Sequence, residues 1–268
     1  MKLGVIGTGN MGSTLIQGVY SVCSDVDIFA FNRSNNKLLA LKMEYEQLNI
    51  CHQMEMVVEK SDLLVLAVPY SAISAFPISL VKCLNERRTL TIVLSGYVPM
   101  KLLEKCIPSK VTKAYPNVNW AVGSGVTIVN FGTRLTVSDK ETILEFFSKL
   151  GFACEVTEGQ LRPFANLMSC GPALWISLIS LFVEANVTKY AIAYGLGLEM
   201  AQKTIEGTLQ LMKQKHLDAR GVIDKVAGPG GVTEVGLKLF QELIPGVFSR
   251  VIETMDSRDK QRIKSLAP

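Results

Sequence analysis

Histidine is almost missing from this chain: His52 and His216 are the only two in 268 residues. Both stand in polar surroundings far apart in sequence, which argues against a histidine-built zinc centre or a Ser-His-Asp triad, so no metal is expected. There is no C-x-x-C pair either. The six cysteines (Cys23, Cys51, Cys83, Cys106, Cys154, Cys170) are dispersed, and thiols scattered through apolar stretches usually behave as small buried hydrophobes. No run of Lys or Arg is longer than two, so 28 basic against 24 acidic residues give a net charge of +4 without a nucleic-acid patch. The mild positive balance suits small anionic ligands. No charged and apolar leader precedes the first strand at Lys2, which with the dispersed thiols points to a reduced cytoplasm.

What is present is globular material, 48% hydrophobic and 19% charged, enough for a substantial core over one large domain or, better, two. The most informative stretch comes first. Residues 3–6 are a short apolar run suited to a buried parallel strand. Gly7, Gly9 and Gly12 follow as G-x-G-x-x-G and lead into a helical segment, 13–22. In that strand–turn–helix setting Gly7 permits the tight turn, Gly9 admits a diphosphate close to the backbone, and Gly12 lets helix pack on strand. The helix's free N–H groups and positive dipole end would hold the phosphates.

A second strand, 27–31, is followed by Asn32, Arg33 and Ser34, about 20 residues past the glycine turn, where the two nicotinamide cofactors are told apart. An acidic side chain there would accept the ribose 2′-hydroxyl of NAD. This chain has none, and Arg33 reads as a clamp for a 2′-phosphate, with Asn32 and Ser34 as neutral partners. NADP(H) is the expected cofactor. Further helices are expected over 35–47, 55–60, 73–84, 101–106 and 138–150, and strands over 62–68, 89–94, 111–114, 125–131 and 153–157. The 62–68 strand ends at Pro69, so Ala67, Val68 and Pro69 should border the cofactor, since strand carboxyl ends face the crevice. The turn-rich segment 115–120 should also sit there. This alternation over 1–157 predicts a Rossmann-like doubly wound α/β domain.

Strand signals stop at 158–163. Residues 164–184 carry one charge, Glu184, in 21 residues. Length alone would allow a membrane span, but Asn166, Ser169 and the Gly171-Pro172 break argue against one. The alternative is a helix buried in a large core or an oligomer interface. Gly195 and Gly197 are candidate C-caps for it. Helices are expected over 199–215, 219–226, 237–240 and 246–266, so 158–268 reads as an all-helical domain. Ala227-Gly-Pro-Gly-Gly-Val-Thr233 precedes the 237–240 helix, and the N–H groups of Gly230 and Gly231 form a nest suited to a carboxylate or phosphate. The same pattern also serves as a plain helix entry.

Taken together these motifs resemble the Δ1-pyrroline-5-carboxylate reductases over nearly the whole length. Gly4-Val-Ile-Gly-Thr-Gly-Asn-Met-Gly12 is similar to the family's opening, which brings Asn10 and Met11 into the cofactor set. Asn32-Arg-Ser34 is similar to its NADP-phosphate site. Met168-Ser-Cys-Gly-Pro-Ala173 with Glu184 is similar to its interface helix, and Pro229-Gly-Gly-Val-Thr233 to its substrate loop. The resemblance implies hydride transfer from NADPH to the C=N carbon of a cyclic imino acid. It also implies substrate binding by Gly230, Gly231, Thr233 and Asn117, Thr233 as the catalytic hydrogen-bonding residue, and a homodimer or higher homo-oligomer formed by the helical domain.

The departures are specific. Where the family usually reads Met-Pro-Asn-Thr-Pro-Ala, this chain has Tyr115-Pro-Asn-Val-Asn-Trp120, and the bulk of Trp120 is expected to reshape the pocket. Gly228 replaces a serine, and a lysine common in the family is absent at Pro69 or Tyr70. Three readings stay open: a pyrroline-5-carboxylate reductase, a divergent relative reducing another imine or oxo substrate, and an NADP-binding regulatory protein with little turnover.

Overall fold

A computed structural model describes residues 1–23, 25–87, 89–94 and 97–266, without the side chains at 86 and 87. The expected strand end at Ser95-Gly96 lies outside the described residues. The N-terminal apolar run forms β1 (Lys2–Ile6), and Gly9 stands at the N-cap of α1 (Asn10–Val22). Strands and helices then alternate as β2 (Asp27–Phe31), α2 (Asn35–Glu44), β3 (Asn49–Ile50), α3 (Met54–Lys60), β4 (Leu63–Leu66), α4 (Tyr70–Ile73) and α5 (Ile78–Arg87). There follow β5 (Leu90–Val93), α6 (Met100–Cys106), β6 (Val111–Tyr115), a 3₁₀ turn (Val118–Val122), β7 (Gly125–Phe131), α7 (Val137–Lys149) and β8 (Gly151–Glu155).

These strands make one eight-stranded sheet in the order β3-β2-β1-β4-β5-β6-β7-β8, parallel except where β6 meets β7. All four residues of β4 are buried, as a central parallel strand covered on both faces requires. One core holds Leu15, Ile16 and Val19 of α1 with Ile143 and Phe147 of α7. Another holds Val57 and Val58 of α3 with Leu80, Leu84 and Leu103. The architecture is the doubly wound one that the alternation predicts.

Two details differ. The two-residue β3 is too short to show any periodicity in sequence. The single helix expected over 73–84 is instead α4 and α5, because Pro77 stands between them. Proline lacks an N–H and drives the residue before it out of the helical region, while its carbonyl accepts from Val81 N–H at 3.1 Å and starts the next helix.

The remainder is helical: α8 (Glu158–Met168), α9 (Gly171–Tyr190), α10 (Tyr194–Lys215), α11 (Ala219–Val226) and α12 (Val232–Lys264). The chain forms two compact units, Met1–Pro172 with the segment from Gln261 onward, and Ala173–Lys260. The boundary between the compact units lies one helix beyond the expected division after 157. Leu161 and Met168 of α8 are buried against Ile128 of β7, and that contact keeps α8 in the first unit.

In the second unit the helix boundaries shift. The apolar run 164–184 is split between α8 and α9, with Pro172 accommodated in the first turn of α9, where its missing N–H has no intrahelical acceptor to lose. The left-handed residue after α9 is Ala191 (φ 53°), while Gly195 and Gly197 lie in the first turn of α10 and are not its C-caps. The two helices expected over 237–240 and 246–266 are one 33-residue helix with Pro245 inside it.

Candidate functional site

The sheet register builds the first part of the site. Ile6 pairs with both Phe31 and Leu66, and Leu66 pairs with Val93. The next residues, Gly7, Asn32, Ala67 and Leu94, therefore share one edge of the sheet, at the point where strand order reverses around β1. Open parallel sheets bind their ligands at that edge.

The three glycines do different things there. Gly7 has φ +98°, and a Cβ on it would lie 2.6 Å from the Ala67 carbonyl oxygen. A Cβ on Gly12 would lie 2.0 Å from the Gly7 carbonyl oxygen, so helix and turn touch backbone to backbone. Gly9 is the opposite case. Among the described residues a Cβ there would meet nothing within 4 Å, so none of their packing asks for glycine. The space it keeps open lies over the first turn of α1, which contains no acidic residue and presents the unpaired N–H groups of a helix start. Thr8 beside it is 1% exposed, and its hydroxyl has no hydrogen-bond partner among the described residues. Leaving such a group unpaired costs about 1–3 kcal/mol, which a ligand oxygen would offset. The residues present thus fit a dinucleotide diphosphate.

Two cavities flank this turn. One, of 430 Å³, is lined by Gly7, Gly9, Asn32, Arg33 and the Ala67, Val68 and Pro69 backbone turn. The other, of 360 Å³, is lined by Gly9, Asn10, Met11, Val68, Tyr97 and Arg262, among others. Asn32 is partly committed, since its Oδ1 accepts from Thr8 N–H at 3.1 Å and its Nδ2 donates to the Ser34 carbonyl at 2.9 Å. It ties the glycine turn to the end of β2 and leaves Arg33 exposed at the cavity rim. Ser34 stands at the N-cap of α2. The structure thus gathers all eleven expected cofactor residues around one sheet edge, and nine of them line a cavity, the exceptions being Ser34 and the buried Gly12. It adds Lys37, which lines a third cavity over Thr8, Gly9 and Ser13. A basic residue in the first turn after β2 could have been read from the sequence; Tyr97 and Arg262 carry no such signal.

The segment 115–120 is placed differently from expectation. Trp120 is fully buried, its ring stacked on Phe147 at 5.5 Å and its indole N–H donated to Thr127 Oγ1 at 2.8 Å. The 3₁₀ turn rotates it under α1, where a Cβ on Gly18 would come within 2.3 Å of its carbonyl oxygen. Trp120 is a core residue and does not reshape the crevice. Asn117, expected on the substrate, is 5% exposed and occupied at both ends of its amide. Its Oδ1 accepts from Val126 N–H and its Nδ2 donates to the Met168 carbonyl, each at 3.1 Å. It braces the end of α8 against β7.

Gly230, Gly231 and Thr233 belong to the second unit. Gly230 has φ +73°, the left-handed turn that lets its N–H point forward along α12. That N–H donates to Glu234 Oε2 at 2.7 Å, and Gly231 N–H donates to the Gly228 carbonyl at 3.0 Å. Glu234 also meets Lys238 Nζ at 2.9 Å. The Lys238 hydrogen bond, and then the Gly230 N–H, hold its carboxyl below the usual range. Of the two N–H groups expected for a substrate carboxylate, one is thus taken by a carboxylate of the chain itself and the other by a backbone carbonyl. Thr233 lines a groove of 600 Å³ whose other walls include Leu178, Ile179, Phe182, Leu237 and Phe240.

α9 is not buried as its composition suggests. Trp175, Ile176, Leu181 and Phe182 are 44–71% exposed, and of its large side chains only Val183 is buried. Burial in a core of the chain itself is thereby ruled out for α9. The stretch Glu158–Tyr190 has the length and hydropathy of a membrane span, but it is interrupted between Met168 and Gly171, and its first part packs on the sheet.

Comparison with known proteins agrees with this architecture. Residues 158–262 match the family model for pyrroline-5-carboxylate reductase dimerisation, and residues 2–94 match that for NADP oxidoreductase, coenzyme F420-dependent. ComE operon protein 4 of Bacillus subtilis is 27% identical over 270 residues, covering 99% of this chain and 98% of its own. Pyrroline-5-carboxylate reductase of Aquifex aeolicus is 25% identical, covering 99% and 97%. The structure of a pyrroline-5-carboxylate reductase from Coxiella burnetii superposes with a TM-score of 0.83 at 23% identity, covering 99% and 98%.

Proposed function

We propose that this chain, which belongs to the pyrroline-5-carboxylate reductase family, reduces the C=N bond of pyrroline-5-carboxylate to give proline, with NADPH as the reductant. The observation that carries the reading is the open space at Gly9, set over the first turn of α1 and flanked by cavities that reach Arg33 on one side and Leu94 on the other. Arg33 binds the 2′-phosphate and makes NADPH the preferred nicotinamide. The turn N–H groups of Asn10 and Met11 hold the diphosphate. Bound there, NADPH would supply the hydride that the imine carbon accepts. The ring nitrogen takes a proton from water, so positioning carries most of the acceleration and no histidine is required. Thr233 hydrogen-bonds the substrate near that nitrogen, and the loop N–H groups at Gly230 and Gly231 receive its carboxylate in exchange for their bonds to Glu234 and the Gly228 carbonyl. The protein works as a homo-oligomer in the cytoplasm, with the exposed face of α9 covered by a second copy.

A second reading is favoured by one observation: Gly230 N–H is already bonded to Glu234. A loop that caps itself need not bind a substrate carboxylate, and the chain would then take another imine or oxo substrate, or bind NADP without turnover. The test is loss of NADPH absorbance on mixing with pyrroline-5-carboxylate. Turnover is expected, with Thr233→Ala lowering it while NADPH affinity holds. Tight NADPH binding without turnover would overturn the reductase reading in favour of the binding protein. Arg33→Ala should erase the preference for NADPH over NADH.

A further inference from the structure

The end of α12 brings a cation to the cofactor crevice that no glycine motif announces. Arg262 belongs to the first unit and lines the 360 Å³ cavity that Gly9, Asn10 and Met11 also line. Its guanidinium carbon lies 4.1 Å from the centroid of the Tyr97 ring, a cation–π distance. Stacking on a ring fixes the plane of a guanidinium without using its five N–H donors. Among the described residues no carboxylate forms an ion pair with Arg262. Two residues earlier Lys260 closes the second unit, and four residues later Leu266 packs against the apolar cluster containing Ile6, Leu66 and Val93. The segment is therefore anchored to the sheet unit on its C-terminal side, by Leu266. An exposed arginine set over an aromatic ring and lining the same cavity as a helix start is poised for an anion held there.

We propose that Arg262, perched on Tyr97, binds the diphosphate of the dinucleotide in the cavity it lines together with the N-terminus of α1. This rests on the NADPH reading above. It makes the last residues of the chain part of the cofactor site and gives the diphosphate a second, side-chain partner beyond backbone N–H groups. Tyr97 is a positioning residue, acting through the orientation of Arg262.

The test is a fluorescence titration of the full chain with NADPH, and a competition titration with adenosine 2′,5′-bisphosphate, which carries the 2′-phosphate but no diphosphate bridge. Arg262→Ala is expected to weaken NADPH at least tenfold and the bisphosphate less than twofold, whereas Arg33→Ala weakens both. Arg262→Lys should fall between, because a lysine keeps the charge but loses the planar fork. Tyr97→Phe should keep NADPH affinity and Tyr97→Leu should lower it severalfold, a difference that a merely structural arginine would not produce. Wild-type NADPH affinity in Arg262→Ala would overturn the proposal. So would unchanged NADPH affinity with a raised KM for the imino acid, which would assign Arg262 to the substrate carboxylate. Failure of the wild-type chain to bind NADPH would instead strike at the proposed function itself.

Discussion

The two compact units bury their apolar side chains in different ways. In the first, Trp120, Phe147, Leu3, Leu15 and Ile28 are sealed by the chain's own sheet and helices. In the second, α10, α11 and α12 contain no buried residue at all, and Leu181, Phe182 and Leu243 are each more than half exposed. Composition does not separate them, since both are rich in Leu, Ile, Val and Phe. The difference lies in layers. A sheet covered on both faces closes its own core, whereas a set of helices with apolar residues left facing out needs a cover that the single chain does not supply. Core substitutions in the first unit should therefore be read as folding energy, and apolar substitutions in the second as association energy.

The largest expected effect tests the first half of that contrast. Trp120→Ala removes a fully buried indole, its stacking on Phe147 and its hydrogen bond to Thr127. Such truncations cost about 3–5 kcal/mol, and at about 2–4 °C per kcal/mol for a unit of this size the melting midpoint should drop by several degrees or more. NADPH affinity of the folded fraction should stay within a factor of two. A selective loss of cofactor binding would return Trp120 to the crevice. The second half is tested by Phe182→Asp, which should leave the melting of the sheet unit in place and weaken self-association by about 2 kcal/mol, the scale of an interface anchor. Sedimentation velocity at several concentrations reads it. Unchanged assembly would break the contrast between the units.

Next come two glycines that a motif treats alike. Gly12→Ala places a Cβ 2.0 Å from the Gly7 carbonyl oxygen and should cost about 1–3 kcal/mol of stability through overpacking, with cofactor affinity falling as a consequence. Gly9→Ala meets no atom of the described residues within 4 Å, so its melting midpoint should hold while NADPH affinity drops. If both variants lost stability equally, the reading of Gly9 as a place kept open for a ligand would fail.

These particulars show what the sequence could and could not convey. The alternation of buried strands with helices was legible because each four- to seven-residue apolar run imposes a parallel sheet, and G-x-G-x-x-G in register with a strand and a helix marks the sheet's switch point. Arg33 was legible from its spacing. Trp120 was misplaced because a turn-rich run says nothing about which way its 3₁₀ rotation points a ring. Asn117 has the composition of a site residue, yet both of its amide partners, Val126 and Met168, are set by tertiary packing. Arg262 lies more than 160 residues from Tyr97 in sequence, and no local pattern records a contact of that separation. The helix break at Pro77 was available from local chemistry alone.

The smallest expected effect bears on why α8 sides with the sheet unit. Glu158, at the start of α8, accepts from Met100 N–H at 2.8 Å and from Lys113 Nζ at 2.5 Å, while Lys113 also donates to the Val98 carbonyl. Lys113 is 1% exposed and Glu158 50%. Burial raises the carboxyl of Glu158, but the Lys113 hydrogen bond, the Met100 N–H and the charges of Lys113 and Lys101 outweigh it, and the net direction is down. Burial draws Lys113 below the ordinary lysine value against the pull of Glu158, a cost that belongs to the alkaline range. Because the folded carboxyl titrates below the unfolded one, its contribution is complete above the ordinary value of 4.5 and is lost as the pH falls through the lower folded value. The half-exposed carboxylate is screened, so the contribution should stay below about 1 kcal/mol. Melting midpoints measured from neutral pH into acid should therefore fall more steeply for the wild type than for Glu158→Gln, whose amide has no proton to take up. Parallel curves would mean that α8 is held by Leu161, Met168 and the Asn117 brace without the ion pair, which then contributes nothing to its docking on the sheet.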